Sequence, residues 1–325
     1  MLSYFLDAQY FNYILLAGGL LAFAATFIVL KTCMHRLPTD IGRAFAVNAE
    51  KAKGKPRGAG VIFIPIYCIC CLIFAPLTIE YAIYGTLLMA VMLTGYLDDA
   101  SKNPWSDYKK GFFDLLISVG VATTYALNNS TEVRLEIISN VFGVDASFTI
   151  PLVVYIILGT VLVWMSINVV NCTDGVDGLC TTLTLLVLLT FLFLEGSSDL
   201  PAHIIVMMGA LAAYLWFNCS PSILLMGDAG SRPIGVFLAI AAMKCGDPFL
   251  YIPICLIFIL DGGMGLVKVF LLRFFKIHIF KNTRMPLHDN ARKNKGWSDT
   301  QTVIRFNICQ LVISLIIILL IGFHI

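Results

Sequence analysis

The chain has 325 residues, 59% of them apolar and only 13% charged, with a formal net charge of +2 and a mean hydropathy of +0.87. A soluble domain carries roughly 25% charged residues, so this chain has too little polar surface to meet water on all sides, which excludes a water-soluble globule. Its basic residues border hydrophobic runs and form no aromatic-interleaved patch, which argues against a nucleic-acid partner.

A membrane helix needs about 20 apolar residues. In chain order such runs occupy 11–31, 60–77, 82–97, 112–127, 148–169, 178–194, 202–217, 233–246, 249–272 and 302–323. They predict an all-α, polytopic integral membrane protein of about ten transmembrane helices, folded as a single domain over 1–325. Asp7 interrupts the N-terminal segment and no basic segment precedes the first apolar run, so the first span is expected to target the chain without a cleavable signal. Cys68, Cys70, Cys71, Cys180, Cys245, Cys255 and Cys309 lie in or beside apolar runs, where cysteine behaves as a small hydrophobe. Neither a disulfide framework nor a zinc site is expected.

Lysine and arginine concentrate in three segments: Lys31, Arg36, Arg43, Lys51, Lys53, Lys55 and Arg57; then Lys102, Lys109 and Lys110; then Arg273, Lys276, Lys281, Arg284, Arg292, Lys293 and Lys295. With ten spans these segments share one side with the loops around 170–178 and 218–232, while the other side has only Arg134 and Lys244. The positive-inside rule makes the basic side cytoplasmic and points both termini outward. The outer loop 128–147 is expected to hold a short hairpin or helix, and its Asn129-Ser-Thr fits the glycosylation pattern weakly.

Four polar clusters sit at helix ends on the cytoplasmic face. Gly95-Tyr-Leu-Asp-Asp-Ala100 places Asp98 and Asp99 beside hydrocarbon, where carboxylates are costly and need partners. They could form a metal site, accept a proton, or simply cap a loop. In Asn168-Val-Val-Asn-Cys-Thr-Asp-Gly-Val-Asp-Gly-Leu179, Asn168 and Asn171 share a helix face and Gly175 and Gly178 permit a tight turn. Asp174 and Asp177 therefore project beside bare amides, which suits an ion or a nucleotide diphosphate. Thr182 stands where a calcium loop would need glutamate. In Met226-Gly-Asp-Ala-Gly-Ser231 the flanking glycines leave Asp228 accessible, with Asn218 ten residues earlier. In Met285-Pro-Leu-His-Asp-Asn-Ala-Arg-Lys293, His288 is either a phosphate ligand or an exposed loop histidine. Together these oxygen ligands, cations and glycine turns fit a metal-assisted phosphoryl transfer at the membrane surface, with Mg²⁺ or Mn²⁺ and a lipid substrate. No Walker sequence is present, which disfavours ATP hydrolysis.

The ordered motifs NxxNxxDGxDGL, paired Asp, GDxGS and PLH run from residue 53 to about 296. They resemble the polyprenyl-phosphate N-acetylhexosamine-1-phosphate transferases, and most of all the bacterial phospho-N-acetylmuramoyl-pentapeptide transferases. The resemblance implies a cytoplasmic-face cleft in the bacterial cytoplasmic membrane. There phospho-MurNAc-pentapeptide would pass from a UDP-sugar to undecaprenyl phosphate, giving lipid I and UMP for peptidoglycan synthesis. By the family pattern Asp228 matches the Mg²⁺ ligand, with Asp174 as a second candidate. Asp98 and Asp99 match the pair near the acceptor phosphate, Asp98 as a base, and Asn171, Asp174 and His288 match catalytic positions. Asn168, Gly175, Asp177 and Asn218 fall among substrate-binding positions; Lys53 and Lys102 match the family's lysines. The usual three-histidine run appears as His288-Asp289-Asn290, and Leu225 stands where an aromatic residue usually stacks on uracil. The first departure leaves room for UDP-GlcNAc as donor; a secondary transporter is the remote alternative. The family also implies a homodimer and inhibition by nucleoside antibiotics. Direct attack by the acceptor is favoured over a covalent aspartyl intermediate.

Overall fold

The computed structural model describes residues 8–40, 42, 52–194 and 199–322. Asp7, Arg43, Lys51 and both chain ends lie outside the described residues. The helices are α1 (Phe11–Cys33), α2 (Gly60–Phe74), α3 (Ile79–Asp99) and α4 (Asp107–Asn128). An antiparallel hairpin follows, β1 (Glu132–Arg134) with β2 (Ser147–Thr149), enclosing α5 (Glu136–Phe142). The loop expected to hold a hairpin or a helix therefore holds both. Then come α6 (Leu152–Thr173), α7 (Leu179–Phe193), α8 (Leu200–Asn218) and α9 (Asp228–Lys244). A bent pair, α10 (Pro248–Ile254) and α11 (Leu256–Phe275), leads to α12 (Leu287–Lys295) and α13 (Asp299–Ile321).

Six of these, α1, α3, α4, α6, α8 and α13, are long and apolar enough to cross a membrane, and the bent pair counted as one span makes seven. The helices α2 and α7 are shorter apolar rods. The mostly helical architecture matches the all-α membrane class expected from composition. Residues 249–272, read from hydrophobicity as one continuous run, instead bend by 67° between α10 and α11. Pro253 lies at that bend and lacks the N–H that would continue the hydrogen-bond ladder. Just beyond it Ile259–Gly263 relaxes into a π-turn.

Helix α9 is the axis of the bundle, buried along its whole length. It starts at Asp228 rather than near 233, because its first turn is polar and gives no hydrophobic signal. Three glycines let neighbouring backbones close on it. A Cβ at Gly60 of α2 would run into the Ala229 carbonyl, one at Gly95 of α3 into the Asp228 backbone, and one at Gly235 of α9 into the Ile167 backbone of α6. Close backbone approach through small residues is a general device of membrane helix packing.

At the far end of α9, Lys244 is not a free loop charge. Its Nζ donates to Glu80 Oε2 at 2.9 Å and to Asn129 Oδ1 at 2.9 Å. Asn129 Nδ2 and the Tyr84 hydroxyl both donate to Glu80 Oε1, at 2.7 and 2.8 Å. The side-chain nitrogen of Asn129 is thus engaged inside the fold, consistent with that tripeptide's weak match to the glycosylation pattern.

Candidate active site

The carboxylates converge because two helix ends meet. Helix α3 finishes on Asp98 and Asp99, α9 starts on Asp228, and Gly95 allows the two backbones to touch. Asp99 caps α9: its Oδ1 accepts from the Asp228 N–H at 3.2 Å and its Oδ2 from the Ala229 N–H at 3.0 Å. A helix N-terminus presents unpaired N–H groups and partial positive charge, so a carboxylate settles there. Gly227 makes the approach possible with φ of 70°, and a Cβ there would strike the Asp99 carboxylate.

Two cations thread these acids. Lys110, in the first turn of α4, places Nζ 2.6 Å from Asp98 Oδ2 and 3.1 Å from Asp228 Oδ2. Arg57 places Nη2 2.9 Å from Asp99 Oδ1 and 3.3 Å from Asp228 Oδ1, while its Nη1 lies 3.4 Å from Asp40 Oδ2. Burial opposes the charge on Arg57, but Asp99, Asp228, Asp40 and Asp174 outweigh it and raise its pKa above the ordinary arginine value. The remaining Asp98 oxygen accepts from the Trp105 N–H at 2.7 Å. Carboxylate oxygens of Asp98, Asp99 and Asp228 all lie within 4.8 Å of one another, a hard-oxygen donor set of the kind Mg²⁺ or Mn²⁺ takes.

The turn after α6 forms the second wall. Asp174 closes the helix as its C-cap. Asn171 Oδ1 accepts from Ser231 Oγ at 3.0 Å, joining this wall to α9. Asp177 Oδ2 accepts from the Ser222 N–H at 2.9 Å and lies 3.6 Å from Lys55 Nζ. Asn218 is buried and braces the turn, accepting from the Gly178 N–H at 3.0 Å and donating to the Leu224 carbonyl at 2.9 Å. Leu225 is tied by its backbone to Pro56 and Ala59. Asn168 instead donates to Trp164 of its own helix, at 2.8 Å.

The third wall is α12. His288 Nδ1 stands 2.7 Å from Asp261 Oδ2, and the His288 backbone N–H donates to Asp261 Oδ1 at 2.7 Å. A carboxylate oxygen accepting this bond assigns the shared proton to Nδ1. Nε2 faces Gly175, where an added Cβ would meet it. Asp289 pairs with Arg292 at 2.8 Å, and Arg292 also donates to the Gly175 carbonyl at 3.1 Å. Asn290 accepts from Asn294 at 2.7 Å and stays within its own helix.

Of the expected lysines, Lys53 and Lys102 are exposed, and it is Lys55, Arg57 and Lys110 that reach the acids. Asp261 was missed altogether. Its signal was a lone carboxylate inside an apolar run, the kind of residue that needs a partner in a membrane. One turn beneath the carboxylates lies another unforeseen pair, Arg232 with Asp114. Both are almost fully buried, and Arg232 donates from Nε at 3.1 Å and from Nη2 to the same Asp114 oxygen.

Known proteins are similar to this chain in sequence. The model of glycosyl transferase family 4 matches residues 81–246, from α3 to the end of α9. A phospho-N-acetylmuramoyl-pentapeptide-transferase of Treponema pallidum (strain Nichols) is 39% identical over 311 residues, covering 89% of this chain and 84% of that protein. Proteins of the same name from Campylobacter lari (27% identical, 97% of each chain) and Helicobacter pylori strain Shi470 (24% identical, 97% of this chain and 96% of that one) match nearly end to end. The chain therefore belongs to glycosyl transferase family 4 and, within it, to the phospho-N-acetylmuramoyl-pentapeptide-transferases.

Proposed function

We propose that this chain moves phospho-MurNAc-pentapeptide from UDP-MurNAc-pentapeptide to undecaprenyl phosphate, releasing UMP and forming lipid I for peptidoglycan synthesis. The observation that carries the reading is the convergence of Asp98, Asp99 and Asp228 on one helix start, threaded by Lys110 and Arg57. The relatives' shared name supports the pentapeptide donor.

The protein is a multi-pass protein of the bacterial cytoplasmic membrane. Ten spans in one domain over 1–325, with the site on the cytoplasmic face, complete the proposed topology. The ends of α3, α6 and α8 and the starts of α4, α7 and α9 all gather at the site. At the opposite ends Lys244 is neutralised by Glu80, which leaves Arg134 as the exposed cation among the described residues there. Helix α13 starts beside Arg292, through Asp299 at 3.1 Å, and ends against Asn140 of the opposite-side helix α5.

In the proposed reaction an oxygen of the acceptor phosphate attacks the donor's β-phosphorus. The bond from that phosphorus to the bridging oxygen breaks, and UMP departs with the electron pair. A phosphate monoester is already anionic near neutral pH, so direct attack asks little of Asp98 as a base. Asp228, with Asp98 beside it and Asp174 at the neighbouring turn, would hold Mg²⁺ or Mn²⁺. That ion supplies positive charge to the phosphates during transfer. Arg57, Lys110, Lys55 and Arg292, each in contact with one of these walls, would supply positive charge to orient a diphosphate. His288, fixed by Asp261, presents Nε2 toward the turn at Gly175. A homodimer and competition by nucleoside antibiotics belong to the same reading.

The test is UMP release by purified, detergent-solubilised protein with undecaprenyl phosphate and Mg²⁺, offering UDP-MurNAc-pentapeptide and UDP-GlcNAc in parallel. Turnover of the pentapeptide donor alone, lost in Asp228→Ala and on chelation, is the expected result. Turnover of UDP-GlcNAc alone would replace the donor; no UMP from either, with folded protein, would overturn the reading. A phospho-sugar trapped on Asp98 or Asp174 without acceptor would overturn direct attack.

A further inference from the structure

The cations at the carboxylates are not equivalent. Arg57 is anchored by three acids, one of which, Asp99, is itself pinned to the backbone of α9. Among the described residues Lys110 forms ion pairs with Asp98 and Asp228, through a flexible four-carbon stem, and about a quarter of its side chain is exposed, at 24%. Its ammonium touches one oxygen of each acid at 2.6 and 3.1 Å, which is the bridging position a divalent cation would need. Asp40, Asp98, Asp99 and Asp228 against Arg57 and Lys110 leave two formal negative charges, which one divalent ion would neutralise. That ion would nonetheless face the Lys110 ammonium across the same carboxylate oxygens, a like-charge contact in a largely buried site that is unfavourable unless an anion arrives or the lysine moves away.

We propose that Lys110 is a resident counter-ion of the Asp98–Asp228 pair, displaced by the catalytic divalent cation, and that its freed ammonium then takes the donor's diphosphate, coupling metal binding to donor binding. The proposal rests on the reading of Asp228 as a metal ligand. Lysine suits the part because its ammonium is a mobile point charge, whereas the arginine fork is fixed by its several bonds. Coupling follows from linkage: if a diphosphate holds the lysine away, it tightens the metal, and the metal tightens the diphosphate by the same factor.

The experiment measures Mn²⁺ binding to the full-length protein in detergent by electron paramagnetic resonance, with Mn²⁺ alone and then with UDP. Lys110→Met keeps length and removes charge. It is expected to bind Mn²⁺ alone about tenfold more tightly than wild type, the equivalent of one charged hydrogen bond no longer lost on metal binding. UDP should tighten Mn²⁺ in the wild type and do so less in the variant. If Lys110→Met does not fold, Lys110→Gln carries the same expectation, and thermal unfolding verifies the fold. Equal or weaker Mn²⁺ binding in the variant, with Asp228→Asn abolishing it, would overturn the displacement and leave the metal site standing. Unchanged binding in Asp228→Asn would overturn both.

Discussion

The buried pair Asp114–Arg232 offers a sharp test of how the site's floor is held. Asp114 lies four residues after Lys110 on α4, and Arg232 four residues after Asp228 on α9. Each helix therefore offers one cation and one anion in opposite order, and the two pairs close like rungs. Both lower side chains are almost completely removed from solvent, at 1 and 3% exposure. Removing one partner leaves an uncompensated buried charge, which typically costs about 3–5 kcal/mol. Here each orphan keeps an oppositely charged neighbour one turn away, so Asp114→Leu and Arg232→Leu should each cost about 3 kcal/mol, the low end of that range. The double replacement substitutes an apolar contact for the pair and should fall within about 1 kcal/mol of wild type. The assay is reversible unfolding of purified protein in mixed micelles with increasing SDS, read by circular dichroism and analysed as a double-mutant cycle. A double variant as destabilised as the sum of the singles would refute the pairing.

Asp228→Asn should lower UMP release about 100-fold or more, since it removes the carboxylate that would hold the divalent ion against the developing charge of the leaving group. Gly95→Ala should destabilise the fold by about 1–3 kcal/mol through overpacking, because its methyl would enter the Asp228 backbone; thermal unfolding in detergent measures this. Burial raises the Asp247 carboxyl to about 6, above the unfolded value of about 3.9. Folding is therefore favoured by this group below about pH 4 and loses that contribution as pH rises through about 6, by about 1–2 kcal/mol once solvent screening is allowed for. In Asp247→Asn the slope of unfolding midpoint against pH between about 4 and 7 should flatten. Asp261→Asn should lower kcat more than it raises KM for the UDP-sugar, because it misorients His288 rather than removing it; an unchanged kcat would count against that role.

The hydrophobic runs announced the long helices well, because a span in hydrocarbon must be apolar throughout. They failed where local chemistry departs from that rule. The polar first turn of α9 concealed its start at Asp228, and the run 249–272 hid the bend at Pro253. The four polar clusters were legible as clusters, and Asp98, Asp99 and Asp228 do meet. Which lysine joins them was not legible. Lys102 is only three residues beyond Asp99, yet it sits in an exposed loop, while the first turn of α4 carries Lys110 back to the acids. Asp261 and His288 lie 27 positions apart, and only the return of the chain after α11 brings them together.

Asp99 has a consequence for how such a site can be interrogated. Its carboxylate closes the amino end of the bundle's central helix and grips Arg57 at the same time. Replacing it disturbs the scaffold and the chemistry together, so lost turnover in an Asp99 variant does not separate the docking of α9 from the reaction. Scanning by activity alone would rank it beside Asp228 for a different reason. Selection for the reaction and selection for the fold press on one side chain, and a drifting sequence has no independent way to relax either.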